Sequence, residues 1–166
     1  MAPQASARSQ AAPRRSLPAA ARTYPLGATM RKREVAVVTG AARGIGLAVA
    51  GQLESDGISV LAVDRDPEAL VEAARLGAEV MEADLATEGG RDSVVSRAVG
   101  SQYLVNAAGI IHLAPICEVK IADLRRVFAI NVEATWDLTS RLGAGMSEGG
   151  AIVNLSSSSA KLAKYY

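Results

Sequence analysis

A glycine-rich stretch, residues 39–46 (TGAARGIG), directly follows the first apolar run of the sequence, and its spacing suits phosphate binding. Glycine lets the backbone turn tightly and approach a pyrophosphate, and a helix that begins at this point offers free N–H groups and positive potential. The G-x-x-x-G-x-G spacing differs from the common G-x-G-x-x-G. Because the stretch lies at a strand-to-helix junction, it predicts a nucleotide site, and an ordinary turn is the alternative.

Two acidic residues follow later apolar runs and could bind the rest of a dinucleotide. Asp64 ends the second run, 18 residues after Gly46, where its carboxylate could accept hydrogen bonds from both hydroxyls of the adenosine ribose. This carboxylate would repel a 2′-phosphate and so favours NAD over NADP, whereas Arg43 and Arg65 could neutralise that phosphate. A solvated loop acid is the alternative interpretation of Asp64. Asp84 ends the third run, where the adenine edge should lie.

Asn131 is a polar residue on a helical face that is otherwise mostly apolar. Positions 121, 124, 128, 131, 135, 138 and 142 follow three- and four-residue spacing, which places them on one side of a predicted helix. A buried amide must be hydrogen-bonded, because leaving it unpaired costs roughly 1–3 kcal/mol. Asn131 is therefore predicted to be buried and bonded, in a catalytic site or in a structural network. Trp136 is predicted to pack on the same helix.

The last thirteen residues, NLSSSSAKLAKYY (154–166), gather serine, lysine and tyrosine as an active site would. Lys161 and Tyr165 lie four residues apart, but they are interpreted as part of a solvated tail. His112, the only histidine, is given no catalytic role. Cys117 is interpreted as a loop residue because no base is evident beside it, and no metal-binding cluster stands out.

Short apolar runs alternate with amphipathic stretches from residue 34 onward, and this alternation predicts an α/β fold. The strands read as continuous apolar runs, which is typical of a parallel sheet covered on both faces. Right-handed crossovers then predict the spatial order 3-2-1-4-5. The predicted strands are 34–40, 58–64, 78–85, 102–109 and 150–157, and the predicted helices are 44–57, 67–77, 87–100 and 118–143.

Length and composition favour one domain, residues 34–166, preceded by a leader. Of the 166 residues, 49% are apolar, which suffices for a core, and the net charge of +1 gives no case for nucleic acid. No apolar run in the sequence approaches the roughly 18 residues of a membrane span, so no membrane partner is expected.

Residues 1–33 carry seven of the 18 basic residues and none of the 17 acidic ones. This leader is predicted to be disordered. It resembles a transit peptide, although an upstream-extended start with Met30 as the true first residue is the favoured interpretation. The single cysteine suits a reducing compartment, so a cytoplasmic location is expected, with an organellar matrix as the alternative if the leader is a transit peptide.

Four motifs, taken together in their order and spacing, resemble those of the short-chain dehydrogenase/reductase family. They are TGAARGIG (39–46), NAAG (106–109), Asn131 and IVNLSS (152–157), and the resemblance covers roughly residues 34–157. It implies a doubly wound Rossmann sheet and NAD(P)-dependent hydride transfer between nicotinamide and a small-molecule alcohol or carbonyl substrate. It also implies a homodimer or homotetramer. The motifs leave sugars, steroids, acyl thioesters and dihydrodiols open as substrates.

The resemblance assigns roles residue by residue. Asn131 matches the helix residue that holds a proton-relay water. Ser157 matches the serine that hydrogen-bonds the substrate oxygen, with Ser156 and Ser158 as neighbours that could be confused with it. The candidate cofactor-binding residues are Gly40, Gly44, Ile45 and Gly46 at the pyrophosphate, Arg43 and Asp64 at the adenosine ribose, Asp84 and Leu85 at the adenine, and Asn106, Ala107 and Gly109 at the nicotinamide ribose.

The family's principal acid–base group is a tyrosine with a lysine four residues later, and the sequence departs from that pattern. Tyr165 would need a lysine at position 169 and Tyr166 one at position 170. The expectation is a chain truncated before this motif, an inactive fragment of an NAD-dependent oxidoreductase. A non-enzymatic nucleotide-binding or regulatory module is the alternative. The last strand is then expected to form an exposed apolar edge, and Leu124, Phe128 and Leu138 to lie partly in water.

Overall fold

Five parallel strands form one sheet in the computed structural model, which describes residues 34–146 and 148–157. The strand order is β3-β2-β1-β4-β5, so the predicted α/β class and the predicted order are confirmed. The predictions for residues 1–33 and 158–166 lie outside the described residues and stay predictions. The strands are β1 (Val35–Thr39), β2 (Ser59–Asp64), β3 (Glu79–Glu82), β4 (Tyr103–Asn106) and β5 (Ala151–Asn154).

Helices connect successive strands, as the alternating pattern predicts. They are α1 (Gly44–Ser55), α2 (Val71–Arg75), α3 (Glu88–Arg97), α4 (Ile121–Phe128) and α5 (Thr135–Gly143). A π-helical segment, Ala129–Ala134, joins α4 to α5. Helix α2 is shorter than predicted because residues 67–70 form turns before it begins. No helix within the two described ranges is long and apolar enough to cross a membrane.

Side chains of β1 alternate between the two faces of the sheet, and each face has its own apolar core. Ala36 and Val38 belong to the cluster that α1 and α2 cover, whereas Val37 packs in a second cluster with Leu104 and Leu138. All five side chains are fully buried. Because strand residues point to opposite faces in turn, an uninterrupted apolar run is what a strand between two helical layers requires.

The long helix buries the predicted face only in its last part, at Leu138 and Leu142. The predicted burial of Asn131 is wrong, since this residue is exposed. The physical reason is the π-helical segment Ala129–Ala134, whose wider turn breaks the regular 3.6-residue spacing, so that the positions before and within it no longer share a side with Leu138 and Leu142. The residues that this helix buries against the sheet are Ile130, Ala134, Leu138 and Leu142.

Exposed apolar side chains follow the outer side of the same helix. Leu124 and Phe128 are 44% and 51% exposed, which confirms the prediction for these two residues. The prediction is wrong for Leu138, which is fully buried, and the predicted packing of Trp136 is also wrong, since Trp136 is 70% exposed. Trp136 precedes Leu138 by two residues, or about 200° around a helix, so the two residues face opposite directions.

Strand β5 forms one edge of the sheet. It pairs with β4 alone among the described strands, in a register that sets Asn106 opposite Asn154. Val153 is 52% exposed, so the predicted apolar edge is confirmed. Such an edge offers unpaired backbone groups and apolar side chains to another chain.

The carboxyl ends of β1, β2 and β4 meet at one side of the sheet. Thr39 at the end of β1 lies opposite Val63 of β2 and Asn106 of β4. The loops that begin with Gly40 and Ala107 are therefore neighbours. In open α/β sheets, ligands bind at this position, where the strand order reverses between β1 and β4.

Candidate functional site

A cleft of about 490 Å³ opens at the carboxyl ends of the strands. It brings together most of the residues that the sequence predicts for cofactor binding. Gly44 and Asn106 are the two predicted residues that do not line it. The predicted residues on its wall are Gly40, Arg43, Ile45, Gly46, Asp64, Asp84, Leu85, Ala107 and Gly109.

The glycine loop packs so closely on its surroundings that side chains are excluded at two positions. A Cβ atom at Gly40, where φ is +67°, would lie 2.7 Å from the Cα and N atoms of Ala108. A Cβ atom at Gly46 would overlap the carbonyl oxygen of Gly40. The start of α1 is therefore held against the end of β1, and both are held against the loop after β4. This contact fixes the floor of the cleft.

Thr39 joins β1 to the loop after β4 through its side chain. Its hydroxyl accepts hydrogen bonds from the backbone N–H groups of Ala107 and Ala108 at 3.2 and 3.1 Å, and it lies 3.5 Å from the carbonyl oxygen of Val105. Thr39 is only 1% exposed. Sequence reasoning gave this residue no role, although a hydroxyl that ends a buried apolar strand must find a partner.

Asp64 points into the cleft from the end of β2, and backbone groups hold both of its oxygens. Oδ2 accepts from the N–H of Ala42 at 3.2 Å, and Oδ1 accepts from the N–H of Asp66 at 3.2 Å. Each carboxylate oxygen can accept two hydrogen bonds, so capacity remains for a ligand. The fixed carboxylate is thus pre-oriented toward whatever occupies the cleft.

Charges of both signs lie around Asp64. Arg43 and Arg65 line the cleft with Asp64, and Asp84 lies on the wall formed after β3. The guanidinium of Arg43 pairs with Asp66, with Nη2 3.4 Å from Oδ2. The end of the cleft at Asp64 therefore carries two cations, and one of them, Arg43, is paired with an acid that does not line the cleft.

The loop after β3 forms the side of the cleft at Asp84 and Leu85. Oδ1 of Asp84 accepts from the N–H of Ala86 at 3.0 Å, and Oδ2 lies 3.5 Å from Nη2 of Arg126 on α4. Arg91 of α3 donates to the carbonyl oxygen of Leu85 at 3.1 Å. These contacts hold the loop between two helices, so this wall is as well anchored as the glycine loop.

Asn106 supports the cleft from inside the protein. It is 4% exposed, and its Nδ2 donates to Oγ1 of Thr139 at 3.1 Å and to Oδ1 of Asn154 at 2.8 Å. The side chain therefore ties β4 to β5 and to α5. Asn106 thus holds the start of the loop that contains Ala107 and Gly109, which line the cleft.

Asn131 fastens the loop after β4 to the long helix. Its Oδ1 accepts from the N–H of Ile110 at 2.9 Å, and its Nδ2 donates to the carbonyl oxygen of Ile110 at 2.8 Å. A Cβ atom at Gly109 would lie 3.6 Å from the same Oδ1. Asn131 does not line the cleft, but Ile110 and Gly109 do. The prediction that its amide is hydrogen-bonded is confirmed.

Ser157 follows β5 by three residues, beyond Leu155, whose side chain lines the cleft. The N–H of Leu155 donates to the carbonyl oxygen of Asn106 at 3.0 Å, which sets the direction of the chain toward Ser157. His112 lies in the exposed loop before α4, with Nε2 3.8 Å from Oδ2 of Asp123. Cys117 in the same loop is exposed. Lys161 and Tyr165 lie outside the described residues.

A doubly wound parallel sheet with a glycine loop at its first strand-to-helix turn defines the class of Rossmann-type dinucleotide-binding folds. The family model for short chain dehydrogenases matches residues 34–165. The chain therefore belongs to the short-chain dehydrogenase/reductase family, and the resemblance inferred from its motifs is confirmed.

Named relatives are dehydrogenases of small alcohols. D-threitol dehydrogenase of Mycolicibacterium smegmatis is 37% identical over 142 residues, which are 78% of this chain and 55% of that protein. Galactitol 2-dehydrogenase (L-tagatose-forming) of Cereibacter sphaeroides is 34% identical over 135 residues, which are 75% of this chain and 52% of that protein. The chain thus spans about half the length of these curated relatives.

Solved structures of the same family superpose well on the described fold. A glucose/ribitol dehydrogenase-type member from Brucella melitensis gives a TM-score of 0.75 at 31% identity, covering 80% of this chain and 60% of that one. A blue fluorescent protein from a metagenomic library, solved in complex with NADPH, gives a TM-score of 0.72 at 31% identity. The comparison covers 77% of this chain and 57% of that protein.

Proposed function

We propose that this chain forms the cofactor-binding half of an NAD(P)-dependent oxidoreductase that transfers a hydride between nicotinamide and an alcohol or carbonyl substrate. The observation that carries the proposal is the cleft at the carboxyl ends of the strands, built on a glycine loop that begins a helix. Free N–H groups at that helix end, together with its positive potential, attract a pyrophosphate.

The residues present fit a dinucleotide. Gly40 and Gly46 line the cleft without side chains, so the backbone at the start of α1 is open to an approaching phosphate. Ile45 is 65% exposed although it is apolar and lines the cleft, as a residue that contacts a ligand would be. When bound, the nicotinamide supplies or accepts the hydride. Gly109 and Ile110 would lie beside it, held in place by Asn131.

Two residues are proposed to act on the substrate side, by family resemblance. Ser157 would hydrogen-bond the substrate oxygen, and Asn131 would hold a water for proton relay. The geometry of Asn131 supports this role, because its two bonds to Ile110 use only part of its capacity. An amide has two N–H donors and two acceptor lone pairs, so one donor and one lone pair remain for a water.

We propose NAD as the preferred cofactor, with NADP bound less tightly. The fixed carboxylate of Asp64 supports this preference, because it can accept hydrogen bonds from ribose hydroxyls and repels a 2′-phosphate. Arg43 and Arg65 oppose it, as cations that line the same end of the cleft.

The proposed substrate class is a small acyclic polyol or vicinal diol. The support comes from relatives named D-threitol dehydrogenase, L-2,3-butanediol dehydrogenase, galactitol 2-dehydrogenase and sorbitol dehydrogenase, which share this half of their sequence with the chain. We further propose that residues 1–166 alone bind nucleotide without catalysing the reaction. The support is that Tyr24 and Tyr103, the two tyrosines whose fourth following residue lies within the sequence, have alanine and not lysine at that position.

Two assays test the proposed function. Fluorescence titration of the chain with NADH should show saturable binding, and the absence of any nucleotide binding would contradict the proposal. A chimera that joins residues 34–157 to the C-terminal remainder of the M. smegmatis D-threitol dehydrogenase should reduce NAD in the presence of D-threitol or a related polyol. A chimera that melts cooperatively and binds NADH, yet oxidises no polyol, would contradict the substrate class. Polyol oxidation by the chain alone would contradict its proposed inactivity.

A further inference from the structure

Asp66 lies just outside the cleft and contacts a cation that lines it. Its Oδ2 atom lies 3.4 Å from Nη2 of Arg43, which directly precedes Gly44 in the glycine loop. The Arg43 side chain is 73% exposed and that of Asp66 is 38% exposed. Among the described residues, this ion pair is the one contact that restrains the guanidinium. Asp66 is therefore the group that determines where the charge of Arg43 lies.

Further hydrogen bonds hold Asp66 in place. Its Oδ1 accepts from the N–H of Ala69 at 3.1 Å, which caps the turn before α2. Its own N–H donates to Oδ1 of Asp64 at 3.2 Å, and the second oxygen of Asp64 accepts from Ala42 in the glycine loop. Asp66 is thus tied by its backbone to the carboxylate expected at the ribose, while its side chain pairs with the cation beside it.

We propose that Asp66 is a positioning residue for cofactor choice, which holds the guanidinium of Arg43 in an ion pair and so weakens the binding of a 2′-phosphate. This inference rests on the proposed NAD(P) site. An arginine binds phosphate strongly through paired N–H donors, but a guanidinium that also pairs with a carboxylate has one of its donors occupied and part of its charge compensated. Asp64 repels the phosphate directly, and Asp66 acts through Arg43.

The expected effect is modest because the pair is exposed. Exposed ion pairs of this kind change an equilibrium by about two- to fivefold. Salt reduces the effect further, because ion pairs between solvent-exposed side chains are screened by dissolved ions. Measurements at low ionic strength therefore give the largest signal.

The test compares NADPH and NADH binding to the full chain by fluorescence titration at low salt. Asp66→Asn removes the charge but keeps an oxygen that can accept from Ala69. It should raise the ratio of NADPH to NADH affinity by about two- to fivefold. The matched control is Glu68→Gln, an exposed acid two residues away that makes the same change in net charge. It should leave the ratio unchanged, because no contact with Arg43 is lost.

A second variant pair separates positioning from simple charge removal. In an Arg43→Gln background, Asp66→Asn should no longer raise the NADPH to NADH ratio, since the released cation is gone. The inference is overturned if Asp66→Asn leaves the ratio at the wild-type value, or if it raises the ratio equally with and without Arg43. These outcomes are distinct from failure of the proposed function, in which the wild-type chain binds neither nucleotide.

Discussion

The side-chain amide of Asn131 bonds both backbone groups of Ile110, accepting from its N–H at 2.9 Å and donating to its carbonyl oxygen at 2.8 Å. This reciprocal pair links the long helix to the loop after β4, which lines the cleft. Both hydrogen bonds are exposed, yet they hold Gly109 and Ile110 in place at the edge of the cleft.

Removing this amide should loosen the loop and weaken nucleotide binding together. Asn131→Ala loses two hydrogen bonds, each worth about 0.5–1.5 kcal/mol of unfolding free energy. Urea denaturation should show a loss of about 1–3 kcal/mol, and NADH titration a weaker affinity. Asn131→Asp keeps the acceptor for the N–H of Ile110, so its unfolding free energy and NADH affinity should lie between those of the wild-type chain and those of Asn131→Ala. A stable Ala variant with wild-type NADH affinity would contradict this role.

Thr39→Val tests the link between β1 and the loop after β4. Valine has nearly the same shape but leaves the N–H groups of Ala107 and Ala108 without their acceptor. Buried donors left unpaired cost about 1–3 kcal/mol, so the midpoint of urea unfolding should fall accordingly. Thr39→Ser, which retains the hydroxyl, is the control and should lose much less. Equal stabilities of the two variants would show that the hydroxyl has no such function.

Gly46→Ala should distort the glycine loop. Its Cβ would overlap the carbonyl oxygen of Gly40, and such overpacking costs about 1–3 kcal/mol or more. We expect both a lower melting temperature and a loss of NADH binding. Gly89→Ala in α3 is the matched control, because a Cβ there meets no heavy atom within 4 Å. That change should be neutral or stabilising by about 0.5–1 kcal/mol.

The free energy of unfolding should fall at alkaline pH because Tyr103 loses its proton. Its burial, and then its hydrogen bond to Glu34, raise the pKa of Tyr103 above its ordinary value. The folded chain therefore keeps a proton that the unfolded chain releases, so this stabilisation is present below about pH 10 and is lost as the pH rises through the folded pKa. Tyr103→Phe should flatten the fall in unfolding free energy above about pH 10. An unchanged slope would contradict this assignment.

Asp64→Asn should reduce the preference for NAD. The charged hydrogen bonds of a carboxylate are worth about 1.5–3 kcal/mol, or roughly 10- to 100-fold in affinity. NADH affinity should therefore fall, and NADPH affinity should fall less or rise. Glu133→Gln, an exposed carboxylate outside the cleft, controls for the loss of one charge. If both variants show the same NADH to NADPH ratio, Asp64 does not select the cofactor.

The fold could be predicted because each strand is a short apolar run that can be recognised from its own residues. The buried run of β1 and the glycine at its end predict a parallel strand and a tight turn, and both are local properties. The strand order follows from the handedness of crossovers. The residues of the cleft follow in turn, since loops such as those at Gly40 and Asp64 share one side of a parallel sheet.

The π-helical segment within the long helix could not be predicted from local sequence patterns. A regular helical spacing placed Asn131 on the same face as Leu138 and Leu142, but the π-helical segment Ala129–Ala134 breaks that spacing, so that Asn131 is exposed while the two leucines are buried. No single residue type marks such a segment in advance. The role of Thr39 and the inward position of Asn106 also depend on which loop lies opposite, and this is a property of the assembled sheet.

Nucleotide binding at the cleft is tested most directly by NMR on the ¹⁵N-labelled chain. NADH should shift the backbone resonances of residues around the cleft, such as Gly40, Ile45, Asp64, Leu85 and Gly109. A second concavity of about 380 Å³, lined by Val132, Trp136 and Arg141 among others, serves as an internal control and should be unaffected. Shifts confined to that concavity, or no shifts at saturating NADH, would show that the cleft does not bind the nucleotide.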